Sequence, residues 1–252
     1  MDQPSPDEFA RRPPARPIEV LGVDGAPGGW VAARASVGPD DPVPSVSSVT
    51  FHAEIAPILE TVGTEIALVA VDMPTSLPDH GQRASEVAVR SLLGPRRASM
   101  FMSPPAAVLD LRDDFDAANA RCRDLSGKGL SRQAFHLLPK IVEVDAALRR
   151  LDPGPAARVW EAHPELAFAR RNGAPMAHPK RTAAGVAERL VVLEDAGIDW
   201  RPWVVSPPAG DGDDVIDALV LTLTAADLAL GLEVPVFDDG PTPSGRPSRI
   251  TG

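Results

Sequence analysis

Two apolar segments, each of which ends at an aspartate, place the strongest constraint on how this chain can fold. Ile18 to Asp24 reads IEVLGVD, and Glu65 to Asp72 reads EIALVAVD. Both have the length of a strand, and the second is apolar enough for a strand buried on both faces in the middle of a sheet. The Asp72 carboxylate is therefore expected at the carboxyl edge of the sheet, where α/β proteins bind ligands. For both aspartates the alternative is a residue that merely opens a turn.

The rest of the pattern predicts an α/β fold with a mixed sheet and helices on both faces. The glycine-rich turn after Asp24 leads into a second strand at 30–36, which forms an antiparallel hairpin, and a third strand is expected at 45–52. A further strand is predicted at 157–162, with parallel strands completing the sheet. Three long helices are predicted from Gln133 to Arg150, from Thr182 to Ala196 and from Asp213 to Leu230.

Composition bounds the domain organisation and the metal chemistry. A single domain is expected over residues 18–237, and the proline-rich stretches 1–17 and 238–252 are predicted to be disordered tails. No apolar run of about eighteen residues occurs and no secretory signal is visible, so a cytoplasmic protein without membrane contact is expected. Because Cys122 is the single cysteine, oxygen and histidine ligands remain for a metal, which favours Mg²⁺ or Mn²⁺.

Charge is unevenly distributed along the chain. The formal net charge of −10 argues against a protein that coats nucleic acid nonspecifically, although it is compatible with a nuclease. Between Arg83 and Arg150, however, twelve Arg or Lys residues stand against eight Asp or Glu. This middle segment is predicted to face a polyanion while carboxylates elsewhere hold metal.

The last predicted helix opens with acidic residues in the string GDGDDVIDALVLTL. Asp214 and Asp217 are three residues apart and share a face, and Asp213 is predicted to cap the helix. Acidic residues in a first turn can simply complement the helix dipole. Asp217, however, falls in the second turn of an otherwise apolar helix, where an unpaired charge is costly, so Asp214 and Asp217 are interpreted as functional.

Further polar candidates lie in the second half of the chain. Glu161 and His163 in VWEAHPE are expected on one side of a strand, where they could bind metal or act as acid and base. His163 alternatively caps the helix that begins at Pro164. Lys140 either pairs with Glu143 on a helix surface or contacts substrate.

Six motifs, in order from about residue 20 to 232, resemble an uncharacterised bacterial and archaeal domain family of predicted RNase H-like nucleases. They are GVDGAPGGW, VAVDMPTSLP, LGPRRASMF, GKGLSRQAF with LPKIVEVD, VWEAHPE and GDDVIDAL. The resemblance implies an RNase H-like sheet and metal-dependent hydrolysis of phosphodiester bonds in nucleic acid. The implied metal ligands are Asp24, Asp72, Asp214 and Asp217.

The same resemblance implies roles for other residues. Glu161 joins the catalytic carboxylates, replacing a glutamate that many RNase H enzymes carry on their first helix. Substrate contacts are expected from Arg96, Arg97, Lys128, Lys140, His163 and Lys180.

Three other functions compete with a nuclease. An ATPase or phosphotransferase of the related actin and sugar-kinase fold would need a second copy of the fold and a second Asp-Gly turn, whereas Met73 and Pro74 follow Asp72. A non-catalytic module could use the basic middle segment to hold nucleic acid or protein. A phosphohydrolase could act on a small phosphorylated ligand.

Overall fold

A mixed sheet forms the centre of the protein in a computed structural model that describes residues 16–38, 41–205, 207, 211–242 and 244–252. Its strands lie in the order β3-β2-β1-β4-β5, with β1 antiparallel to β2, β2 antiparallel to β3, and β1, β4 and β5 mutually parallel. This arrangement confirms the predicted α/β fold and is consistent with the RNase H-like class. The strands are β1 Ile18–Ala26, β2 Gly29–Val37, β3 Ser45–His52, β4 Ile66–Val71 and β5 Val159–Glu161.

Helices connect and cover the strands. The three predicted long helices are confirmed to within a few residues, whereas β5 is shorter than the predicted strand 157–162 because a short helix runs up to Ala156. The described helices are α1 Ala56–Leu59, α2 Ala84–Leu93, α3 Phe115–Ser126, α4 Arg132–Arg150, α5 Pro153–Ala156, α6 Pro164–Asn172, α7 Ala183–Asp195, α8 Arg201–Val204 and α9 Gly212–Ala229, with 3-10 turns at Gly94–Arg96 and Ala106–Leu111. Within these segments no helix combines the length and the apolar character needed to cross a membrane.

Alternate strand residues supply two separate cores, one on each face of the sheet. Val20 and Ala70 belong to the core on the α9 side, which α6 and α7 complete. Val23 and Val71 belong to the core on the opposite side, where α4 packs. Burial of both faces explains why β1 and β4 read as nearly continuous apolar runs.

Gly22 allows α9 to pack directly against β1. A Cβ atom at this position would lie 2.2 Å from the carbonyl oxygen of Ala218 and 2.5 Å from the backbone nitrogen of Thr222. No other residue type fits such a close approach without displacing the helix. The contact brings the first turns of α9 to the part of β1 that ends in Asp24.

The prediction of a disordered tail at 238–252 is wrong. Strands β6 (Val236–Pro241) and β7 (Pro247–Thr251) form an antiparallel hairpin in this stretch. Ile250 is fully buried against side chains of α2 and α6, and the backbone nitrogen of His163 donates to the Thr251 carbonyl at 2.9 Å. These contacts are tertiary, so local periodicity gave no sign of them. Of the other predicted tail, 1–17, residues 1–15 lie outside the described residues.

Candidate metal centre

Asp24 and Asp72 meet at one edge of the sheet, as their positions in the two apolar segments predict. Val23 of β1 is in register with Val71 of β4, and the Asp72 backbone nitrogen donates to the Val23 carbonyl at 2.9 Å. The Asp24 and Asp72 carboxyl groups lie close enough to affect each other's pKa. Buried Asp217 on α9 lies close enough to raise the pKa of both. The four carboxylates Asp24, Asp72, Asp214 and Asp217 are called the edge carboxylates below.

The edge carboxylates disfavour one another's ionisation. Burial, followed by the charges of Asp72 and Asp217, raises the pKa of Asp24 well above its usual range. Burial and the charge of Asp217 raise the pKa of Asp72 to about 7. Burial and Asp213 raise the pKa of Asp214 to about 6. A cluster of this kind carries more negative charge than its surroundings neutralise, which is the electrostatic condition for binding a cation.

Lys180 is the cation that the structure places among these carboxylates. Its Nζ lies 2.5 Å from Asp217 Oδ2 and 3.8 Å from Asp213 Oδ2. Burial alone would lower the pKa of Lys180, but Asp217 and Asp24 raise it, so the side chain stays charged. Lys180, a predicted substrate contact, therefore pairs with a carboxylate when no substrate is bound.

The start of α9 differs in one respect from the prediction. The N-cap is Asp211, not Asp213, and Asp211 forms a reciprocal capping box with Asp214. This corrects the predicted role of Asp213, which instead faces Lys180 and Arg181. The acidic triad Asp211, Asp213 and Asp214 could hold a metal ion, since its ligand atoms all lie within 4.8 Å of one another. Asp214 thus belongs both to this triad and to the edge carboxylates.

Glu161 lies in a second cluster, which is organised around a buried arginine. Arg83, only 2 % exposed, binds both Glu161 oxygens, with Nη1–Oε1 at 2.7 Å and Nη2–Oε2 at 2.9 Å. Arg83 also pairs with Glu86 at 3.4 Å and with Asp239 of β6 at 3.3 Å. These four residues are called the Arg83 network. Sequence reasoning missed Arg83, which lies directly before α2 and carries no distinguishing local signal.

Glu161 nevertheless contacts the loop that follows the edge carboxylate Asp72. Its Oε2 accepts a hydrogen bond at 3.2 Å from the backbone nitrogen of Thr75, in the loop that follows Asp72. Its charge also contributes to the raised pKa of Asp72. Both Glu161 oxygens are bound to Arg83, so the hydrogen-bonded link from Glu161 to the edge carboxylates runs through the loop that contains Thr75.

His163 is the N-cap of α6, the simpler of its two predicted roles. Its Nδ1 accepts from the backbone nitrogen of Leu166 at 3.3 Å. Burial lowers the pKa of His163 to about 4, so the ring is neutral near pH 7. A buried, neutral capping histidine is poorly placed to bind a phosphate, which the prediction of a substrate contact requires.

Lys140 and Glu143 do not form the predicted surface pair. Lys140 Nζ donates to the Gly29 carbonyl oxygen and lies 4.2 Å from the centroid of the Trp30 ring. Glu143 accepts from Trp30 Nε1 at 3.1 Å and from the Ile55 backbone nitrogen at 2.5 Å. Both residues therefore fix the turn after Asp24, and the charge of Asp24 acts on Lys140.

The remaining predicted substrate contacts lie outside this cluster. Arg96 and Arg97 are in and directly after the 3-10 turn that follows α2, and Lys128 is exposed in the loop between α3 and α4. Within the described ranges, no hydrogen bond or ion pair links these three residues to the edge carboxylates. Their contact with substrate stays a prediction.

The fold and the site together define a class: an α/β protein with an RNase H-like mixed sheet and an acidic centre at the sheet edge. The family described as "Protein of unknown function (DUF429)" matches residues 22–241, so the chain belongs to this family. No curated protein and no solved structure matches the chain.

Proposed function

We propose that this protein is a metal-dependent nuclease that hydrolyses phosphodiester bonds at the edge carboxylates. The observation that carries the proposal is the convergence of Asp24, Asp72 and Asp217 from two parallel strands and a late helix, with pKa values raised by burial and mutual repulsion. Lys180 alone does not neutralise this charge, and a divalent cation would complete the balance.

The donor set fits Mg²⁺ or Mn²⁺. Asp24, Asp72, Asp214 and Asp217 would hold the ion through carboxylate oxygens, the ligands that hard cations prefer. Asp211 and Asp213 extend the same acidic surface around Asp214. When bound, a divalent ion activates water and neutralises charge on the phosphate oxygens.

Other residues of this chain would orient the substrate and the carboxylates. The Lys180 ammonium beside Asp217 can move to a phosphate oxygen once a cation takes its place. Lys140 holds the turn after Asp24, and the Arg83 network holds the loop after Asp72 through Glu161. The exposed Arg97 and Lys128 are available to the nucleic-acid backbone outside the centre.

The test combines metal binding with cleavage. Calorimetry with Mn²⁺ is measured on the wild type and on the double variant Asp24→Asn with Asp217→Asn. Cleavage of single- and double-stranded DNA, RNA and an RNA–DNA hybrid is then followed with Mn²⁺. We expect the double variant to lose metal binding and to lose cleavage by about a hundredfold or more.

Asp227→Asn is the matched control, because Asp227 is a buried aspartate of the same helix that is paired with Arg170 and Arg171. It should retain metal binding and cleavage. A wild type that binds no Mn²⁺, even with nucleic acid present, would overturn the proposal in favour of a binding module. Cleavage confined to small phosphate esters would instead indicate a phosphohydrolase.

A further inference from the structure

A cavity of about 380 Å³ opens beside the loop that follows Asp72. Its volume lies within the range of small-molecule binding sites. The loop residues Pro74 to Leu77, the 3-10 turn Ala106–Leu111, helix α4 and the turn between β6 and β7 contribute its walls. The cavity is thus assembled from four separate parts of the chain, and the proposed function does not account for it.

The lining of the cavity combines an apolar wall with hydroxyl groups. Leu77, Leu109 and Ile141 supply aliphatic surface. Ser76 Oγ lies 3.3 Å from Ser244 Oγ and also contacts Thr242, so hydroxyls of the two loops meet at the rim. A ligand that matches these walls has a flat apolar face and a polar edge.

The cavity is also locally cationic. Three arginines (Arg112, Arg149 and Arg246) line it against two aspartates (Asp110 and Asp145), an excess of one positive charge in a chain of net charge −10. Asp145 accepts from both Arg149 Nε, at 2.7 Å, and Arg246, so one carboxylate serves two guanidinium groups. Arg112 is exposed and makes no ion pair with another described residue. Guanidinium groups in this state favour a phosphate.

The cavity borders the edge carboxylates. Pro74 is two residues from Asp72, which places their Cα atoms within about 7 Å of each other. On the other side, Ile141 follows Lys140, whose stem lies against Gly25: a Cβ on Gly25 would be 3.3 Å from Lys140 Cδ and 3.6 Å from Met73 Cε. Met73 and Lys140, the chain neighbours of the cavity residues Pro74 and Ile141, therefore both lie beside Gly25, the residue that follows Asp24.

We infer that this cavity binds one nucleotide unit, with the base against the aliphatic wall and a phosphate at Arg112 and its neighbouring arginines. As a subsite of a nucleic-acid substrate it rests on the proposed function, but the binding itself needs neither metal nor cleavage. One unit fills the volume, so the subsite accepts a single unpaired nucleotide next to the reacting phosphate.

The experiment is calorimetric titration of the metal-free full chain with the four ribonucleoside monophosphates and, separately, with inorganic phosphate. Two variants block the cavity differently: Arg112→Gln removes the unpaired guanidinium, and Ala106→Trp fills the space from its exposed rim. Their matched controls are Arg150→Gln and Ala107→Trp, exposed neighbours that do not line the cavity. Circular dichroism checks that all four variants fold.

We expect the wild type and both controls to bind at least one nucleoside monophosphate, with affinity reduced about tenfold or more in Arg112→Gln and Ala106→Trp. The Asp24→Asn and Asp217→Asn double variant should bind the nucleotide normally, which separates this inference from the metal centre. No nucleotide binding, or binding that both cavity variants leave unchanged, would overturn the inference. Equal affinity for inorganic phosphate and for the nucleotides would also overturn it, because the aliphatic wall would then contribute nothing.

Discussion

The edge carboxylates and the Arg83 network are two groups of acids within the same end of the sheet, but only in the Arg83 network does a cation contact every acid. Glu161, Glu86 and Asp239 share a fully buried guanidinium that contacts all three. Of the edge carboxylates, Asp217 pairs with the Lys180 ammonium. Among the described residues no cation forms an ion pair with the other three, although the charges of Asp24 and Asp214 act on Lys140. The difference shows that burial alone does not decide whether an acid has a fixed cationic partner.

The largest effect is expected from breaking the Arg83 network. Arg83→Met leaves Glu161 and Glu86 buried without a cation and should lower the free energy of unfolding by about 3–5 kcal/mol. Urea denaturation followed by circular dichroism measures the change. Arg97→Met, an exposed arginine nearby in the chain, is the control and should stay within about 0.5 kcal/mol of the wild type. A loss below about 1 kcal/mol in Arg83→Met would show that the network is not structural.

A divalent ion should act on the edge carboxylates alone. At a Mn²⁺ concentration one hundred times the Kd, we expect the free energy of unfolding to rise by about 2.7 kcal/mol. Asp24→Asn should abolish this increment, while Asp239→Asn, in the Arg83 network, should keep it even though its baseline stability falls. Equal loss of the increment in both variants would erase the distinction between the two groups.

The pH dependence of stability should report the burial of Asp72 in the metal-free protein. The folded-state pKa of Asp72 is raised to about 7, so between roughly pH 4 and 7 the folded protein holds a proton that the unfolded chain releases. Metal-free stability contributed by this group therefore falls as the pH rises through that window. Asp72→Asn should stabilise the metal-free protein at pH 8 by on the order of 1 kcal/mol and have little effect at pH 4. Melting temperatures measured in chelator from pH 4 to 8 test this, and a variant less stable than wild type at pH 8 would contradict it.

The smallest effect is expected at Lys180. Its ammonium competes with a metal for Asp217, so Lys180→Gln should tighten Mn²⁺ binding by less than about tenfold. Arg181→Gln, whose guanidinium lies 3.8 Å from Asp213 but is largely exposed, should change the affinity less. Weaker binding in Lys180→Gln would mean that the lysine organises the carboxylates instead of competing for them.

Much of the fold follows from local patterns. Strands β1 and β4 are apolar along their length, and α4 and α9 carry helical periodicity, so their positions could be predicted. The convergence of Asp24 and Asp72 also follows, because parallel neighbours bring their carboxyl ends together.

Contacts between distant segments could not be predicted in this way. The stretch VFDDGP reads as a loop, yet it forms β6 because Asp239 binds Arg83 and Ser85 in α2 and its preceding loop. Lys140 and Glu143 have the spacing of a surface ion pair, but the turn at Gly29 and Trp30 supplies both with other partners. The spacing of residues along the chain limits which contacts are possible, and the tertiary fold determines which of them form.

The packing of α9 against Gly22 also has a consequence for how the protein is made. Helix α9 carries Asp217 and packs against β1, the first described strand. This contact joins segments that are far apart in the chain, and it also completes the acidic centre. Ribosomes release the chain from its N-terminus, and domains with many such distant contacts fold late and slowly. A nascent chain therefore displays Asp24 and Asp72 long before α9 exists, and the centre stays incomplete until translation has passed the helix.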